Sequence, residues 1–361
     1  MRILFALPGF HRYDRGAEVA LLAVAQELAS GGDQITVMGS GPPRAAVAYT
    51  YRQIGSIARE RFENFPKMPV LRSETAWEDA TFAAGLMASY RPADFDAAIT
   101  CSFPFTHWAL RKPSPGARPK QIFVTQNGDW PAFANTSEYR TFRCDGLVCT
   151  NPDFAERNRE RWPVALIPNG ISPGKFAPRQ GDRARFGLAE DCQIILMVSA
   201  LIESKRVIEG IGAVAKLDGV HLVVAGDGAL RDEVRQAALA QLPGRFTNLT
   251  VGAEDMPALY NSADVFLHMS LLESFGNVFV EAAASGLPVV AHDTPRLRWI
   301  VGDDQPLCDT TDEASLIAAL RRALETGKQA APARIANFHW PRIAGQYRSF
   351  IAEITGADAG R

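Results

Sequence analysis

The sequence predicts an α/β protein made of two doubly wound domains, and three observations support that prediction. Short apolar runs bounded by turn residues alternate with helical stretches along most of the chain. Continuous apolar runs of this kind are typical of parallel strands that are covered on both faces. A polar, proline-containing stretch at 168–192 interrupts the alternation, which then restarts. The length of 361 residues also exceeds the usual limit for a single hydrophobic core.

The first predicted domain covers residues 1–175 and opens with a buried strand, RILFALPG. A helix follows over 17–32 and stops at a glycine. Further strands are predicted at 34–40, 96–102, 120–128, 146–151 and 164–170. In a doubly wound sheet, ligands bind at the loops that follow the carboxyl ends of such strands.

The second predicted domain covers residues 190–330 and repeats the plan. Its strands are predicted at 193–201, 220–228, 249–253 and 287–294, with helices at 207–217 and from Leu230 onward. The last segment, 331–361, contains an amphipathic helix that we expect to pack back on the first domain. Two similar α/β domains that face each other predict a cleft, the usual place for a ligand.

Composition excludes several classes of protein. A net charge of −2 argues against general nucleic-acid binding, which needs a basic face. The five cysteines form no C-x-x-C pair, a pattern typical of a reduced protein rather than of a disulfide framework or zinc site. The opening MRILFALPGF is predicted to be a strand rather than a signal peptide. No apolar stretch approaches the roughly 20 residues that span a bilayer. We therefore expect a cytoplasmic protein with at most peripheral contact to the inner face of the membrane.

The stretch LLESFGNVFVEAAASGLPVV, residues 271–290, contains two carboxylates eight positions apart in a segment of small residues. Ser274 is predicted to cap a helix that ends at Gly286. The backbone N–H groups at the start of such a helix form a site for anions. Glu273 before the helix and Glu281 within it would suit a ligand with hydroxyls at both ends and phosphates between them. A nucleotide sugar is such a ligand.

The longer segment GAEDMPALYNSADVFLHMSLLESFGNVFVEAAASGLPVV resembles the signature of the retaining glycosyltransferases of family 4, which have the GT-B fold. The motifs VALIPNGISPGKF, GDGALRDEV and FHWPRIAGQY fall in the order and at the spacing of that family. The resemblance implies that Glu273 contacts the donor sugar and that Glu281 holds the ribose hydroxyls. It also implies that the backbone around Phe275, Gly276 and Asn277 holds the sugar and the distal phosphate.

Two further motifs resemble family features that contact the diphosphate. In VSALIESKRV, Lys205 matches the family lysine, Ala200 stands at the usual arginine position, and Arg206 follows the lysine. The resemblance assigns both cations to the departing diphosphate. In the first loop, the usual pair of glycines appears as Arg15-Gly16, and Gly16 would let the backbone approach a phosphate or sugar.

The acceptor side carries the main departures from the family. Asn127 stands where relatives often have a histidine, and an amide orients a hydroxyl but does not shuttle a proton near neutral pH. His107 is the nearest alternative, and Asp129 and Trp130 are expected beside the acceptor because they follow a strand. For Arg298 the sequence leaves three alternatives open, which are contact with the acceptor, contact with the donor and contact with neither.

The leading hypothesis is a retaining glycosyltransferase of the hexosyltransferase type that moves a sugar from a UDP- or GDP-sugar to an acceptor hydroxyl. The diphosphate is assigned to Lys205, Arg206 and helix amides, so no metal ion is expected, and no cofactor besides the donor substrate is expected. The expected acceptors are saccharides, lipid-linked saccharides or natural products, with residues 51–72 as an acceptor-side segment and no nucleic-acid partner. The alternatives are a dinucleotide-dependent oxidoreductase, a sugar phosphorylase or synthase, and a non-catalytic GT-B binding protein.

Overall fold

The computed structural model describes residues 1–134 and 137–357, and the chain divides into two compact units. Unit 1 comprises the chain up to Gly170 together with the C-terminal segment from Trp340. Unit 2 comprises Ile171–His339. Unit 2 is thus one continuous stretch of chain, whereas unit 1 is built from both ends of the sequence.

Both units consist of parallel strands joined by helices. The strands are β1 (Arg2–Ala6), β2 (Gln34–Gly39), β3 (Thr50–Gln53), β4 (Ala97–Thr100), β5 (Lys120–Val124), β6 (Gly146–Cys149), β7 (Val164–Leu166), β8 (Gln193–Val198), β9 (Val220–Ala225), β10 (Phe246–Leu249), β11 (Val265–His268) and β12 (Val289–Ala291). The α-helices are α1 (Gly16–Ser30), α2 (Glu74–Ser89), α3 (Phe105–Leu110), α4 (Trp130–Phe133), α5 (Pro152–Asn158), α6 (Val207–Ala215), α7 (Arg231–Gln241), α8 (Met256–Ser262), α9 (Asn277–Ala284), α10 (Pro295–Val301), α11 (Glu313–Thr326) and α12 (Trp340–Thr355). Short 3-10 helices lie at Arg59–Phe62, Pro92–Asp94, Ser137–Thr141, Ala184–Phe186, Glu203–Lys205 and Ala333–Phe338.

The strand orders confirm the predicted doubly wound sheets. Unit 1 has the order β3-β2-β1-β4-β5-β6-β7, and unit 2 has the order β10-β9-β8-β11-β12. All of the described strand pairs are parallel. The winding reverses between β1 and β4 in unit 1, and between β8 and β11 in unit 2. Such a switch point separates the loops after two adjacent strands and leaves a crevice in which ligands bind.

Each sheet is covered on both faces, which explains why its strands are apolar without alternation. In unit 1, Ile3 and Phe5 pack into a cluster with α1 and α12, whereas Leu4 and Ala6 pack on the opposite face with α2 and α3. In unit 2 the successive residues of β8 divide in the same way. Its even-numbered apolar positions join a cluster with α8 and α9, and its odd-numbered ones join a cluster with α6 and α11.

The C-terminal helix α12 completes the core of unit 1. Its buried residues Ile343, Tyr347 and Phe350 follow helical spacing and pack in the same cluster as α1 and the first strand. Outside that apolar stripe, the Arg348 Nε donates a hydrogen bond of 2.8 Å to Asp33 Oδ2. Apolar burial and a charged contact therefore both hold this helix to unit 1.

The structure differs from the sequence prediction at three places. The strand expected at 249–253 lies earlier, at Phe246–Leu249, and β3 was not predicted. The helix α9 begins at Asn277 rather than near Ser274, and its cap residue is Gly276 with a φ of 84°. Glycine adopts this left-handed conformation without steric cost, so the chain turns into the helix two residues later than a serine cap would require. No helix in the described ranges is long and apolar enough to span a bilayer.

We expect Ile343→Ala to lower the free energy of unfolding by about 2 to 5 kcal/mol, because it removes buried methyl groups and leaves a cavity. Ile343 has no solvent exposure and lies on the face of α12 that packs in unit 1. Urea unfolding followed by tryptophan fluorescence measures the change. Gln346→Ala, at an exposed position of the same helix, serves as the control. Equal losses in the two variants would contradict the packing of α12 described above.

Candidate functional site

The switch point of unit 2 brings together two residues that the sequence singled out. Lys205 follows β8 and Glu273 follows β11, and these strands are neighbours in the sheet. The Lys205 Nζ forms an ion pair with Glu273 Oε1. The His268 Nε2, at the end of β11, lies 2.9 Å from the same oxygen. Lys205, after β8, and His268, at the end of β11, thus meet at the carboxylate of Glu273.

The surroundings of Glu273 keep its carboxylate ionised. Burial on its own raises the pKa, but the hydrogen bonds from His268 and Lys205 and the positive charge of Lys205 outweigh this effect and lower the pKa to about 2. The guanidinium of Arg296 donates to the backbone carbonyl oxygen of Glu273. Both the peptide group and the side chain are therefore held, and near neutral pH the side chain is an acceptor of hydrogen bonds.

The turn into α9 requires a glycine and an aromatic anchor. A Cβ at Gly276 would lie 2.6 Å from the Phe279 ring carbon Cε2, so a side chain there would displace the ring. Phe275 is buried against Trp299 and Phe338, with ring centroids 6.4 and 5.9 Å away. Its side chain therefore belongs to the core, and only its backbone is suited to contact a ligand. This anchor fixes the start of α9, where backbone N–H groups favour negative charge.

Glu281 lies one helical turn after Asn277, so both side chains are on the same face of α9. The Tyr260 hydroxyl donates a hydrogen bond of 2.9 Å to Glu281 Oε2. Burial raises the pKa of Glu281, while this hydrogen bond and the charge of Lys175 lower it in part. A desolvated carboxylate with a single hydroxyl donor has room to accept further hydrogen bonds from a ligand.

Arg206 is close in sequence to Lys205, but its guanidinium already has partners within unit 2. It adopts a left-handed φ of 51° at the start of α6. Its Nη2 donates to the Thr310 carbonyl oxygen at 3.2 Å, and its Nε donates to Glu209 Oε1 at 3.2 Å. A weaker contact of 3.4 Å joins Nη1 to the Met269 carbonyl oxygen. In this structure Arg206 therefore connects the loop that carries Lys205 to the segments that contain Met269 and Thr310.

In unit 1, Asn127 is exposed to solvent, whereas Asp129 is buried. Asn127 follows β5 on the surface. Asp129 is buried, and its carboxylate accepts hydrogen bonds from Arg157, at 2.5 and 2.9 Å, and from the Asn158 amide at 2.8 Å. The expected acceptor contact of Asp129 is therefore not supported, because its oxygens serve this internal network. Trp130 is 44% exposed, next to Asn127.

His107 is a packed core residue, contrary to its expected place beside the acceptor. The side chain has no solvent exposure and stacks on Phe142 with ring centroids 4.8 Å apart. Burial lowers its pKa to about 3, so the imidazole is neutral at physiological pH. The Gln121 amide lies 3.1 Å from its Nδ1 and fixes the ring. A side chain in this position does not reach a ligand.

The first loop of unit 1 joins the segment that was predicted to face the acceptor. Gly16 is the exposed first residue of α1. The guanidinium carbons of Arg15 and Arg59 lie 4.4 and 4.8 Å from the centre of the Tyr13 ring. The Tyr13 hydroxyl donates to Glu60 Oε1 at 2.9 Å. Residues of the 51–72 segment thus fasten the loop that follows β1.

Two side chains of the site, His268 and Tyr260, were not predicted from the sequence. Both lie in the stretch ALYNSADVFLH, each beside apolar residues. A polar ring among apolar neighbours is the signal that could have identified them. Both are buried and hydrogen-bonded to a carboxylate that the sequence had singled out. Arg298, whose role the sequence left open, pairs with Asp293 at 2.5 Å. Within the described ranges, no cluster of three or more His, Cys, Asp or Glu side chains is arranged to hold a metal ion.

Two family models match adjoining parts of the chain. The model described as Glycosyltransferase Family 4 matches residues 15–175, and the model described as Glycosyl transferases group 1 matches residues 178–337. A lipopolysaccharide core biosynthesis glycosyltransferase of Rhizobium meliloti is 28% identical over 202 residues, 55% of this chain and 58% of that protein. A GDP-mannose-dependent α-(1-6)-phosphatidylinositol dimannoside mannosyltransferase of Mycobacterium tuberculosis is 31% identical over 226 residues, 59% of each chain. The chain thus spans less than two thirds of the length of these relatives.

Solved structures share the fold over nearly the whole chain. A sucrose-phosphate synthase of Thermosynechococcus elongatus matches with a TM-score of 0.70 and 18% identity, covering 98% of this chain and 94% of that one. An Anabaena protein solved with UDP and glucose matches with a TM-score of 0.72 and 18% identity, covering 98% and 100%. At this level of identity the likeness concerns the fold.

We expect Glu273→Gln to remove a pH-dependent contribution to stability. Because the folded pKa of about 2 lies below the ordinary value of 4.5, this contribution is complete above about pH 5 and is lost as the pH falls toward 2. Its size is on the order of 3 kcal/mol near neutral pH. The variant and the parent protein should therefore differ at pH 7 and converge near pH 2.

Urea unfolding at a series of pH values measures this difference. Glu254→Gln is the matched control, because Glu254 is a glutamate of the same unit whose side chain is 94% exposed. A gap between Glu273→Gln and the parent that stayed constant from pH 7 to pH 2 would contradict the ion pairing of Glu273.

Proposed function

The chain belongs to glycosyltransferase family 4 and has the GT-B fold, and on that premise we propose that it transfers a sugar from a nucleoside-diphosphate sugar to an acceptor hydroxyl with retention of anomeric configuration. The observation that supports this most directly is the meeting of Lys205 and Glu273 at the switch point of unit 2. A cation and an ionised acceptor side by side suit a ligand that carries phosphates next to hydroxyls.

The donor would lie along the start of α9. Glu281 accepts hydrogen bonds from the ribose hydroxyls, and the backbone at Gly276 and Asn277 binds the distal phosphate. A charged acceptor makes stronger hydrogen bonds to a diol than a neutral one, which favours a carboxylate at this position. Glu273 accepts hydrogen bonds from the transferred sugar. The Anabaena neighbour was solved with UDP and glucose, which supports a ligand of this class.

Lys205 would act on the leaving group. When the donor binds, its ammonium turns from Glu273 to the diphosphate, where negative charge grows as the bond to the sugar breaks. A cation placed before the reaction stabilises this charge mainly in the transition state. Arg206 supports the same loop through its contacts with Thr310 and Glu209. These cations and the amides of α9 would take the part that a metal ion plays in other transferases, so we propose a metal-independent reaction.

Retention would follow from attack on the face that the diphosphate leaves. The bond between the anomeric carbon and the phosphate oxygen breaks, and the acceptor oxygen bonds to that carbon on the same face. The acceptor proton passes to the departing phosphate oxygen. This route needs no protein nucleophile and no histidine base, which agrees with Asn127 on unit 1 and with the buried state of His107.

We assign the acceptor to unit 1, at the loop after β1 and the exposed Asn127 and Trp130. Relatives act on the lipopolysaccharide core and on a phosphatidylinositol dimannoside, according to their names. A saccharide, including a lipid-linked one or a glycosylated natural product, is therefore the acceptor class that we propose. A lipid-linked acceptor would bring the enzyme to the inner face of the membrane.

We expect one nucleoside diphosphate to stabilise the protein in a thermal-shift panel of UDP, GDP, ADP, dTDP and NADH. A ligand that binds only the folded state adds about 2.7 kcal/mol at a hundredfold excess over Kd. EDTA should leave the shift unchanged if no metal ion takes part. Glu281→Ala should lose most of the shift, because the proposed ribose contact is gone. Stabilisation by NADH alone would contradict the transferase and favour an oxidoreductase.

We expect Lys205→Ala to lower kcat by about 10²- to 10³-fold, with a smaller effect on KM for the donor, because the charge it balances develops in the transition state. Steady-state kinetics with the donor found in the panel measures both constants. Lys216→Ala, at an exposed lysine after α6, is the control and should keep parental kinetics. A raised KM with unchanged kcat would show that Lys205 binds the ground state only.

A further inference from the structure

His268 is a buried imidazole with only one of its two nitrogens in use. It is the last residue of β11, pairs in register with Ala291 of β12, and is 3% exposed. Its Nε2 contacts Glu273 Oε1 at 2.9 Å. Its Nδ1 is buried and has no hydrogen-bond partner in the described part of the chain. A buried polar atom without a partner is unusual in a protein core and calls for a functional explanation.

The contacts of the ring determine where its proton lies. Glu273 is ionised and accepts only, so the Nε2 carries the hydrogen and donates it. The ring also packs nearly perpendicular to the Phe279 ring, with centroids 4.9 Å apart, and stacks near Phe266 at 6.2 Å. A hydrogen on Nδ1 would be buried and would have no acceptor in the described part of the chain. The contacts therefore favour the neutral Nε2–H tautomer.

The two donors to Glu273 differ in mobility. Lys205 reaches the carboxylate through a flexible side chain that follows β8, whereas the ring of His268 is fixed by the strand and by two aromatic neighbours. Both donate to Oε1. In the proposed reaction Lys205 turns to the diphosphate, and the carboxylate then keeps only one of these two donors.

We propose that His268 is a positioning residue, which keeps the Glu273 carboxylate directed at the donor sugar after Lys205 has turned to the diphosphate. The inference rests on the proposed function, because it assigns Glu273 to the sugar. The bond from His268 to Oε1 fixes the plane of the carboxylate, and Oε2 is the oxygen that we assign to a sugar hydroxyl. His268 itself touches no substrate.

Two variants separate this role from a packing role. His268→Leu fills a similar apolar volume but has no donor, while His268→Gln keeps an amide N–H that can reach Glu273. His221→Leu is the matched control, because His221 also lies on a strand of unit 2 and contacts Thr247 Oγ1 at 2.8 Å, away from Glu273.

The test is isothermal titration calorimetry of each variant with UDP-glucose and with UDP. If the thermal-shift panel selects another nucleoside diphosphate, that diphosphate and its glucose conjugate replace them. We expect His268→Leu to weaken binding of the nucleotide sugar by about 10- to 100-fold, the effect of losing a hydrogen bond to a charged group. Binding of the free nucleoside diphosphate should change less than about threefold. His268→Gln should restore most of the lost affinity, and His221→Leu should bind both ligands as the parent does.

The ¹⁵N spectrum of the imidazoles gives a second readout that does not depend on activity. The resonance absent from His268→Gln identifies His268, and we expect the Nε2–H tautomer with and without the nucleotide sugar. Equal weakening for both ligands, no weakening in His268→Leu, or an Nδ1–H tautomer would each overturn the inference while the transferase stands. A parent protein that binds neither ligand would refute the proposed function, and this inference with it.

Discussion

The reversal of strand order between β8 and β11 is the constraint on which the site of unit 2 depends. From β8 the chain first adds β9 and β10 on one side of that strand. It then returns to add β11 and β12 on the other side. The loops after β8 and β11 therefore diverge, and their ends enclose a space at the edge of the sheet. Lys205 and Glu273 come from those loops and meet although 68 residues of sequence separate them. Burial then strengthens their interaction, because charges are screened less inside a protein than in water.

The fold could be predicted from the sequence to a large extent because the signal for it is local. Apolar runs without alternation correctly predicted parallel strands covered on both faces. The prediction of a strand at 249–253 was wrong, because β10 lies at the edge of its sheet and its residues are only partly buried. The helix start near Ser274 was also misplaced. The helix begins after Gly276, which has a left-handed backbone conformation. The prediction had assumed a serine cap, which does not need that conformation.

The site was harder to predict because its contacts join distant parts of the sequence. The spacing and resemblance indicated Glu273 and Glu281, but not the side chains that hold them. His268 and Tyr260 look like ordinary members of an apolar run, and only the folded chain places each beside a carboxylate. The reverse situation holds at Asp129, whose position after a strand suggested ligand contact. Its carboxylate instead binds Arg157 and Asn158, residues that the chain reaches only after the next strand.

Because α12 belongs to unit 1, the hydrophobic core of unit 1 is completed after that of unit 2 during synthesis. Unit 2 is continuous in sequence, so all of it has been synthesised before the last residues of the chain emerge. Unit 1 must wait for α12, and its contact between Arg348 and Asp33 closes a loop of 315 residues. Until that helix arrives, the apolar side of the sheet around Ile3 and Phe5 remains without one of its covering layers. Unit 1 thus begins to emerge before unit 2 and is finished after it, so a nascent chain carries exposed apolar surface of unit 1 while unit 2 is being made.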